Sequence, residues 1–365
     1  MDDKSSKILK SISPNKIIIP VMIGVGAAIF MFMTSDELSI EEILQYFGNA
    51  DLKWIVLAIL VLLARDFGYI YRIRHLTDKQ LNWWASAFVI VLWEFASAVT
   101  PSVVGGTAVV VFIINKEGIP FGKSLAYVML TAVLDNMFFV ISSVVVFMLL
   151  PNNIIFPQLG EMVDAGATSL VVVYLLSSGL IAFYTLVMSY GLFIKPRAFK
   201  WILIRITGLR WLKKWRKNAI QIGDDVITAS EVLREKQWKY WSKAIVSTIF
   251  IWSARYLMLN CLIAAFTNIN PYDHFVIFGR QIIMWIVMLI SPTPGSTGTA
   301  EYFFGLFFKE FFEVAAFSLA VALFWRLFTY YAYLGIGVIV LPQWLKRVFG
   351  VKKPTKKNEE NIPQN

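Results

Sequence analysis

Ser291-Pro-Thr-Pro-Gly-Ser-Thr-Gly-Thr-Ala-Glu301 follows directly on the apolar run Phe275 to Ile290 and breaks it with two prolines, two glycines and a carboxylate. Prolines remove backbone donors and glycines loosen the chain, so helix carbonyls and amides come free. In lipid such backbone is tolerated only where protein or water surrounds it. Freed backbone beside an acid at membrane depth builds a site for something polar.

The rest of the chain agrees with a membrane setting. Its 365 residues are 58% hydrophobic and 16% charged, with 29 Phe, 14 Tyr and 13 Trp, far outside the soluble range. The expected fold is an all-α polytopic integral membrane protein, with residues 1–350 forming a single transmembrane domain and 351–365 a disordered cytoplasmic tail. Apolar runs long enough to cross about 30 Å of hydrocarbon occur near 17–33, 54–73, 83–100, 124–150, 169–194, 241–267, 274–291 and 311–341. That makes about eight transmembrane helices. Two short, broken or re-entrant segments, 101–114 and 294–308, each follow a proline-glycine break. The run 17–33 follows four lysines without a persuasive cleavage site and reads as a retained first helix.

The net charge of +10 is concentrated beside apolar runs, which marks cytoplasmic loops and anionic phospholipid contact rather than nucleic acid. Loop 195–243 holds 13 Lys or Arg against four acids, and Lys346 to Lys357 holds six basic residues. Both are expected in the cytoplasm, with both termini inside a bacterial inner membrane. Loops 34–53 and 151–168 are mainly acidic and are expected outside. Parity then requires a net crossing at 101–114 and again at 294–308. Within 195–243, Ile202, Ile206, Leu209, Leu212 and Trp215 recur at helical spacing, either as an interfacial helix on an anionic leaflet or as a solvated hairpin.

Set against each other at an offset of 193 residues, the two breaks share five identities in 18 positions: Thr100 with Thr293, Pro101 with Pro294, Gly105 with Gly298, Lys116 with Lys309 and Glu117 with Glu310. The units 83–150 and 274–341 then form an inverted-topology repeat, as in transporters.

Eight ionisable residues fall in spans or breaks: Arg65, Asp66, Glu94, Asp135, Arg255, Arg280, Glu301 and Arg326. Each costs about 2.5–3.5 kcal/mol at a helix centre, so none is expected alone against lipid. Arg65 and Asp66 read as lying near the inner end of their span, and Arg280 near an outer end, where a side chain can snorkel to the interface. The deeper Glu94, Asp135, Arg255, Glu301 and Arg326 either line a polar cavity or form structural ion pairs. The candidate binding residues are these five with the two breaks: Thr100, Pro101, Gly105 and Gly106, and Pro294, Gly295, Ser296, Thr297, Gly298 and Thr299. A helix starting after such a break points free amides at an anion. Glu301 either holds a cationic headgroup or caps the new helix. Cys261 stands alone in an apolar run and His75 and His274 lack metal-ligand spacing, so no disulfide, metal or cofactor is expected.

Pro292 to Glu301 with Arg326, and Pro101 to Gly106 with Gly118 and Ser124, resemble the membrane region of lysylphosphatidylglycerol synthase, the flippase-like domain family, over roughly residues 15–345. The resemblance implies an inner-membrane bundle that moves aminoacylated phospholipid between leaflets. This chain departs from the family pattern at Ser296, usually glycine, at Gly106 to Val111, where an acid and an arginine are usual, and at Thr131 to Leu134, where a Glu-Arg pair is usual. No soluble synthase domain follows residue 350, so lysyl transfer from tRNA is not expected. The function expected is a lipid translocator handling a polar or aminoacylated phospholipid or glycolipid headgroup. The alternatives are a membrane-embedded transferase, an accessory subunit to a partner synthase or glycosyltransferase, and an ion-coupled solute transporter.

Overall fold

The computed structural model describes residues 40–100, 103–156, 166–288, 296 and 298–349, and every regular element among them is helical. The expected first helix at 17–33 and tail at 351–365 lie outside the described residues, as do Pro101, Pro294, Gly295 and Thr297. In chain order the α-helices are α1 (Ile40–Gly48), α2 (Leu52–Leu76), α3 (Trp83–Val99), α4 (Val103–Lys116), α5 (Phe121–Leu149), α6 (Asn152–Ile155), α7 (Gly166–Ser189), α8 (Pro196–Ile206), α9 (Arg216–Arg234), α10 (Trp238–Phe266), α11 (Pro271–Met288), α12 (Thr299–Phe308), α13 (Ala315–Arg326) and α14 (Ala332–Phe349). A π-turn at Tyr190–Ile194 extends α7, and another at Leu327–Tyr331 joins α13 to α14 into one rod.

Five described segments are long and apolar enough to span a bilayer: Leu52–Leu76, Phe121–Leu149, Val171–Ile194, Trp238–Phe266 and Phe317–Phe349. They account for five of the eight runs expected. Besides 17–33, the two runs left over, 83–100 and 274–291, are the first legs of helical hairpins whose second legs are the short segments α4 and α12.

The spans α2 and α10 run antiparallel. Asp51 N–H donates to Ala265 O at 2.8 Å at one end, and Lys236 pairs with Asp78 at the other. Gly68 permits the close approach, since a Cβ there would lie 2.9 Å from Ile251. This pairing defines two ends of the bundle. The basic end carries residues 195–237 and the far end carries 150–156 and 266–271.

Depth along the α13–α14 rod shows how far each hairpin reaches. At the basic end Arg347 packs on the Phe88 ring and pairs with Glu117, next to which Trp344 Nε1 donates to Glu117 at 2.7 Å. Further along, Gly337 lies against Phe95 and Tyr330 donates to Ala98 O at 3.2 Å. The tip of the α3–α4 hairpin therefore stops level with the middle of the rod. Its legs, 17 and 14 residues or about 25 and 21 Å at 1.5 Å per residue, have no greater reach. The α11–α12 hairpin comes from the opposite end: Glu301, at the start of α12, pairs with Arg326, again mid-rod, while Glu310 beyond its last turn pairs with Arg280 at 2.8 Å. Two half-depth hairpins thus open at opposite ends and meet tip to tip. The parity argument for a crossing at each short segment is satisfied without any crossing, because a hairpin that enters and returns contributes the same even count.

The apolar core follows this division. One cluster holds Leu76, Val89, Phe95, Ile114, Leu130 and Trp344 around the first hairpin; the other holds Leu62, Val146, Leu262, Ile283, Phe304 and Phe307 around the second. The acidic stretch expected as an outer loop contains α1, whose Tyr46 stacks on Phe317 at 3.7 Å and whose Phe47 meets Phe324. Burial, and then the Glu313 carboxylate, push the Tyr46 hydroxyl up to about 12. The basic segment is a helical hairpin: Val226, Ala229 and Leu233 of α9 are buried in the core, whereas Trp201, Ile202 and Ile206 of α8 are exposed. The spacing expected to run on to Trp215 is broken after Ile206 by a turn at Thr207 and Gly208.

Candidate functional site

Between the two apolar lobes lies a belt of charge. On α2 the lobes own Ala58 and Leu62 on one side and Ile73 and Leu76 on the other, with Arg65, Asp66, Tyr69 and Arg72 between them. On α5 they own Leu134 and Phe139, with Asp135 between; on the rod they own Trp325 and Tyr330, with Arg326 between. Polar side chains sit where the hairpin tips leave no continuous apolar packing.

Three ion pairs build the belt. Arg72 grips Asp135 with both terminal nitrogens, at 2.5 and 3.2 Å, and also donates to Thr248 at 3.0 Å. Trp252 Nε1 donates to the same carboxylate at 2.9 Å. Arg65 donates to Asp66 at 2.7 Å and to the Tyr333 hydroxyl at 2.5 Å, and that hydroxyl donates to Asp66. Arg255 faces Glu94 at 3.8 Å and Tyr69 Oη at 3.5 Å, with its guanidinium 4.6 Å above the Trp285 ring. Tyr69 ties the three together, because Arg65 and Arg72 also stack on its ring.

The charges balance, three arginines against three carboxylates, but their exposure does not. Arg65 and Arg72 are 0% and 3% exposed against 27% and 18% for Asp66 and Asp135, whereas Arg255 and Glu94 are both partly exposed, at 16% and 20%. The belt therefore presents a carboxylate edge, backed in two of its three pairs by buried guanidinium groups. Alongside it, Arg65 Nη1, Tyr256 Oη, Trp285 Nε1 and Tyr331 Oη are buried with no hydrogen-bond partner among the described residues. Such groups are costly when unsatisfied, so they mark places where water or a polar ligand completes the site.

The hairpin tips form the second part of the site. Ser296 and Gly298 both take left-handed backbone, with φ of 55° and 80°, and this turn delivers the chain into α12. A β-carbon is disfavoured in this region, so Ser296 holds the turn at a cost in backbone strain. Glu301 Oε2 accepts from Gly298 N–H at 2.7 Å and Glu301 Oε1 from Arg326 Nε at 3.1 Å. Of the two roles open to Glu301 in the sequence, the contacts show the cap, joined to an ion pair, with its side chain 2% exposed. Arg326 then lies 4.0 Å over the Tyr330 ring, and Tyr330 donates to Ala98 in the other tip. Thr100 is buried, and its hydroxyl bonds back to Ala96 O at 2.7 Å. Gly106 lets α4 return along α3, since a Cβ would lie 2.7 Å from Ser97 Oγ. Thr299 opens α12, and Gly105 sits in the first turn of α4.

The eleven candidate residues among those described thus fall in two groups, with Glu94, Asp135 and Arg255 in the belt and the others at or beside the tips. The span of the rod from Arg326 to Tyr333, about 10 Å, connects them. Arg65 and Asp66 were expected near a membrane face and instead lie inside the bundle: α2 continues to Leu76, so Arg65 is midway along it. Tyr69, Tyr333, Trp252 and Trp285 were not singled out from sequence. The signal that could have found them is the spacing Arg65, Tyr69, Arg72, which puts all three on one helical face. Arg280, expected to snorkel, is 2% exposed and donates to Ile154 O and Phe307 O, fastening the far end.

The sequence from residue 17 to 337 matches the family described as the lysylphosphatidylglycerol synthase TM region. The chain belongs to this family. A relative in Archaeoglobus fulgidus, called a UPF0104 membrane protein, is 26% identical over 335 residues, covering 87% of this chain and 93% of its own length. No solved structure matches the chain. The family match spans both hairpins and the whole belt, and stops within α14 at Gly337, the residue that lies against Phe95.

Proposed function

We propose that this chain is a lipid translocator. A polar or aminoacylated phospholipid or glycolipid headgroup passes along the belt between the hairpin tips while its acyl chains stay in the surrounding lipid. The observation that carries this reading is the uneven exposure of the belt. A purely structural set of ion pairs would shut both partners away, whereas here the carboxylates of Asp66, Glu94 and Asp135 remain accessible at mid-depth. Moving a headgroup across hydrocarbon is opposed by its desolvation, of the order of several kcal/mol for each unpaired charge. Accessible carboxylates offer a countercharge to an amine, and the unpartnered donors offer hydrogen bonds to phosphate or sugar oxygens. Hairpins that enter from opposite ends give each leaflet its own half of the path.

The basic hairpin and the Lys-rich tail favour a cytoplasmic basic end under the positive-inside rule, and with it a topology that has both termini inside. Membership of the family supports a lipid substrate, and the belt supports one with a cationic or uncharged polar group. The test is reconstitution into liposomes with fluorescent lipids of different headgroup. Wild-type protein is expected to speed the exchange of at least one headgroup class between leaflets, and Glu94→Gln to slow it at unchanged protein folding. Exchange no faster than in protein-free vesicles, across the lipid panel, would sink the reading.

A further inference from the structure

At the basic end, well away from the belt, the π-turn after α7, the first turn of α8 and the last turns of α9 enclose a cavity of about 690 Å³. Lys195, Arg197 and Arg234 line it against one acid, Glu231, which leaves two positive charges in excess. Ser230 forms part of the wall and is only 9% exposed. The start of α8 also faces the cavity. Pro196 occupies its first position and no side chain caps it, so the positive end of the helix dipole is unanswered. Phe193 and Ile194, 43% and 66% exposed, form an apolar lip where α7 ends.

We propose that this cavity binds the phosphate of an anionic phospholipid, held by Lys195, Arg197, Arg234 and the Ser230 hydroxyl, with the acyl chains leaving over Phe193 and Ile194. The site is separate from the translocation path and does not rest on the translocator reading. Cations, a buried hydroxyl and a helix start together select a phosphate-bearing anion. The lip selects one that carries a tail.

The experiment uses the full purified chain, delipidated in detergent, with binding of phosphatidylglycerol, phosphatidylcholine and inorganic phosphate read by native mass spectrometry. Phosphatidylglycerol is expected to bind more tightly than phosphatidylcholine. The triple change Lys195→Ala, Arg197→Ala, Arg234→Ala is expected to weaken it about 100-fold, at a few-fold for each basic residue. All three side chains are exposed, so the variant is expected to keep its thermal unfolding curve. Ser230→Ala gives a smaller loss in the same direction. Equal binding of the two lipids, or wild-type phosphatidylglycerol binding by the triple variant, would overturn the proposal. Displacement of the lipid by inorganic phosphate at comparable concentration would overturn the lipid assignment in favour of a free phosphate site.

Discussion

At the scale of single residues, the deciding question is whether a mid-bundle charge serves structure or transport, and the pairs separate the two. Asp135→Asn leaves Arg72, 3% exposed, without its counter-charge, and is expected to cost about 3 kcal/mol of stability, as for other broken buried pairs. The double change Arg72→Met, Asp135→Leu removes both charges, so thermal unfolding should recover most of that loss while lipid exchange stays low. Recovery of exchange with stability would make the pair structural only. At the tip, Glu301→Gln can satisfy the Gly298 amide or Arg326, but no longer both with charge. It is expected to lose transport and to lower the unfolding temperature while still inserting. Ser296, at φ 55°, gives a prediction of backbone alone. Ser296→Val should cost about 1–2 kcal/mol more than Ser296→Gly in unfolding measurements, because a β-branched residue resists left-handed backbone.

At the scale of elements, the first hairpin is wedged between glycines. A Cβ on Gly337 would lie 2.2 Å from Phe95 Cδ2, so Gly337→Ala must displace α3 or α14 and is expected to cost about 1–3 kcal/mol. Adding Phe95→Ala should restore part of the loss in the same unfolding assay; no loss from Gly337→Ala alone would contradict the packing. The spans themselves were legible in sequence because apolar length is a direct physical requirement of the bilayer. The depth of α3, α4, α11 and α12 was not, because charge asymmetry counts crossings only in pairs and two legs that return count the same as two that traverse. Glu94, Asp135, Arg255, Glu301 and Arg326 were legible as polar residues within the bundle through their insertion cost. Arg65 was misplaced because arginine near an apparent helix end ordinarily reaches the interface, and here α2 runs on through Ile73 to Leu76. Tyr333 and Trp285 carry no sequence signal, since among so many aromatic residues only tertiary contact singles them out.

Across the whole molecule, two hairpins enter from opposite ends and meet at a charged belt. Lys116 and Lys309, matched at the offset of 193, stand at the mouths of the two hairpins. In a Cys261→Ser background, Lys116→Cys should react with an impermeant thiol reagent from the face that carries the basic hairpin, and Lys309→Cys from the other. Labelling of both from one face would remove the inverted arrangement. The most direct test of the central claim is lipid exchange in liposomes containing purified protein, measured as the share of fluorescent lipid that a membrane-impermeant reductant can quench. Quenching is expected to go beyond the outer-leaflet share with wild-type protein, and to fall back toward the protein-free level with Glu94→Gln at equal reconstitution. Quenching with Glu94→Gln equal to wild type would contradict the belt as the path, and a wild-type trace identical to protein-free vesicles for every headgroup would contradict translocation itself.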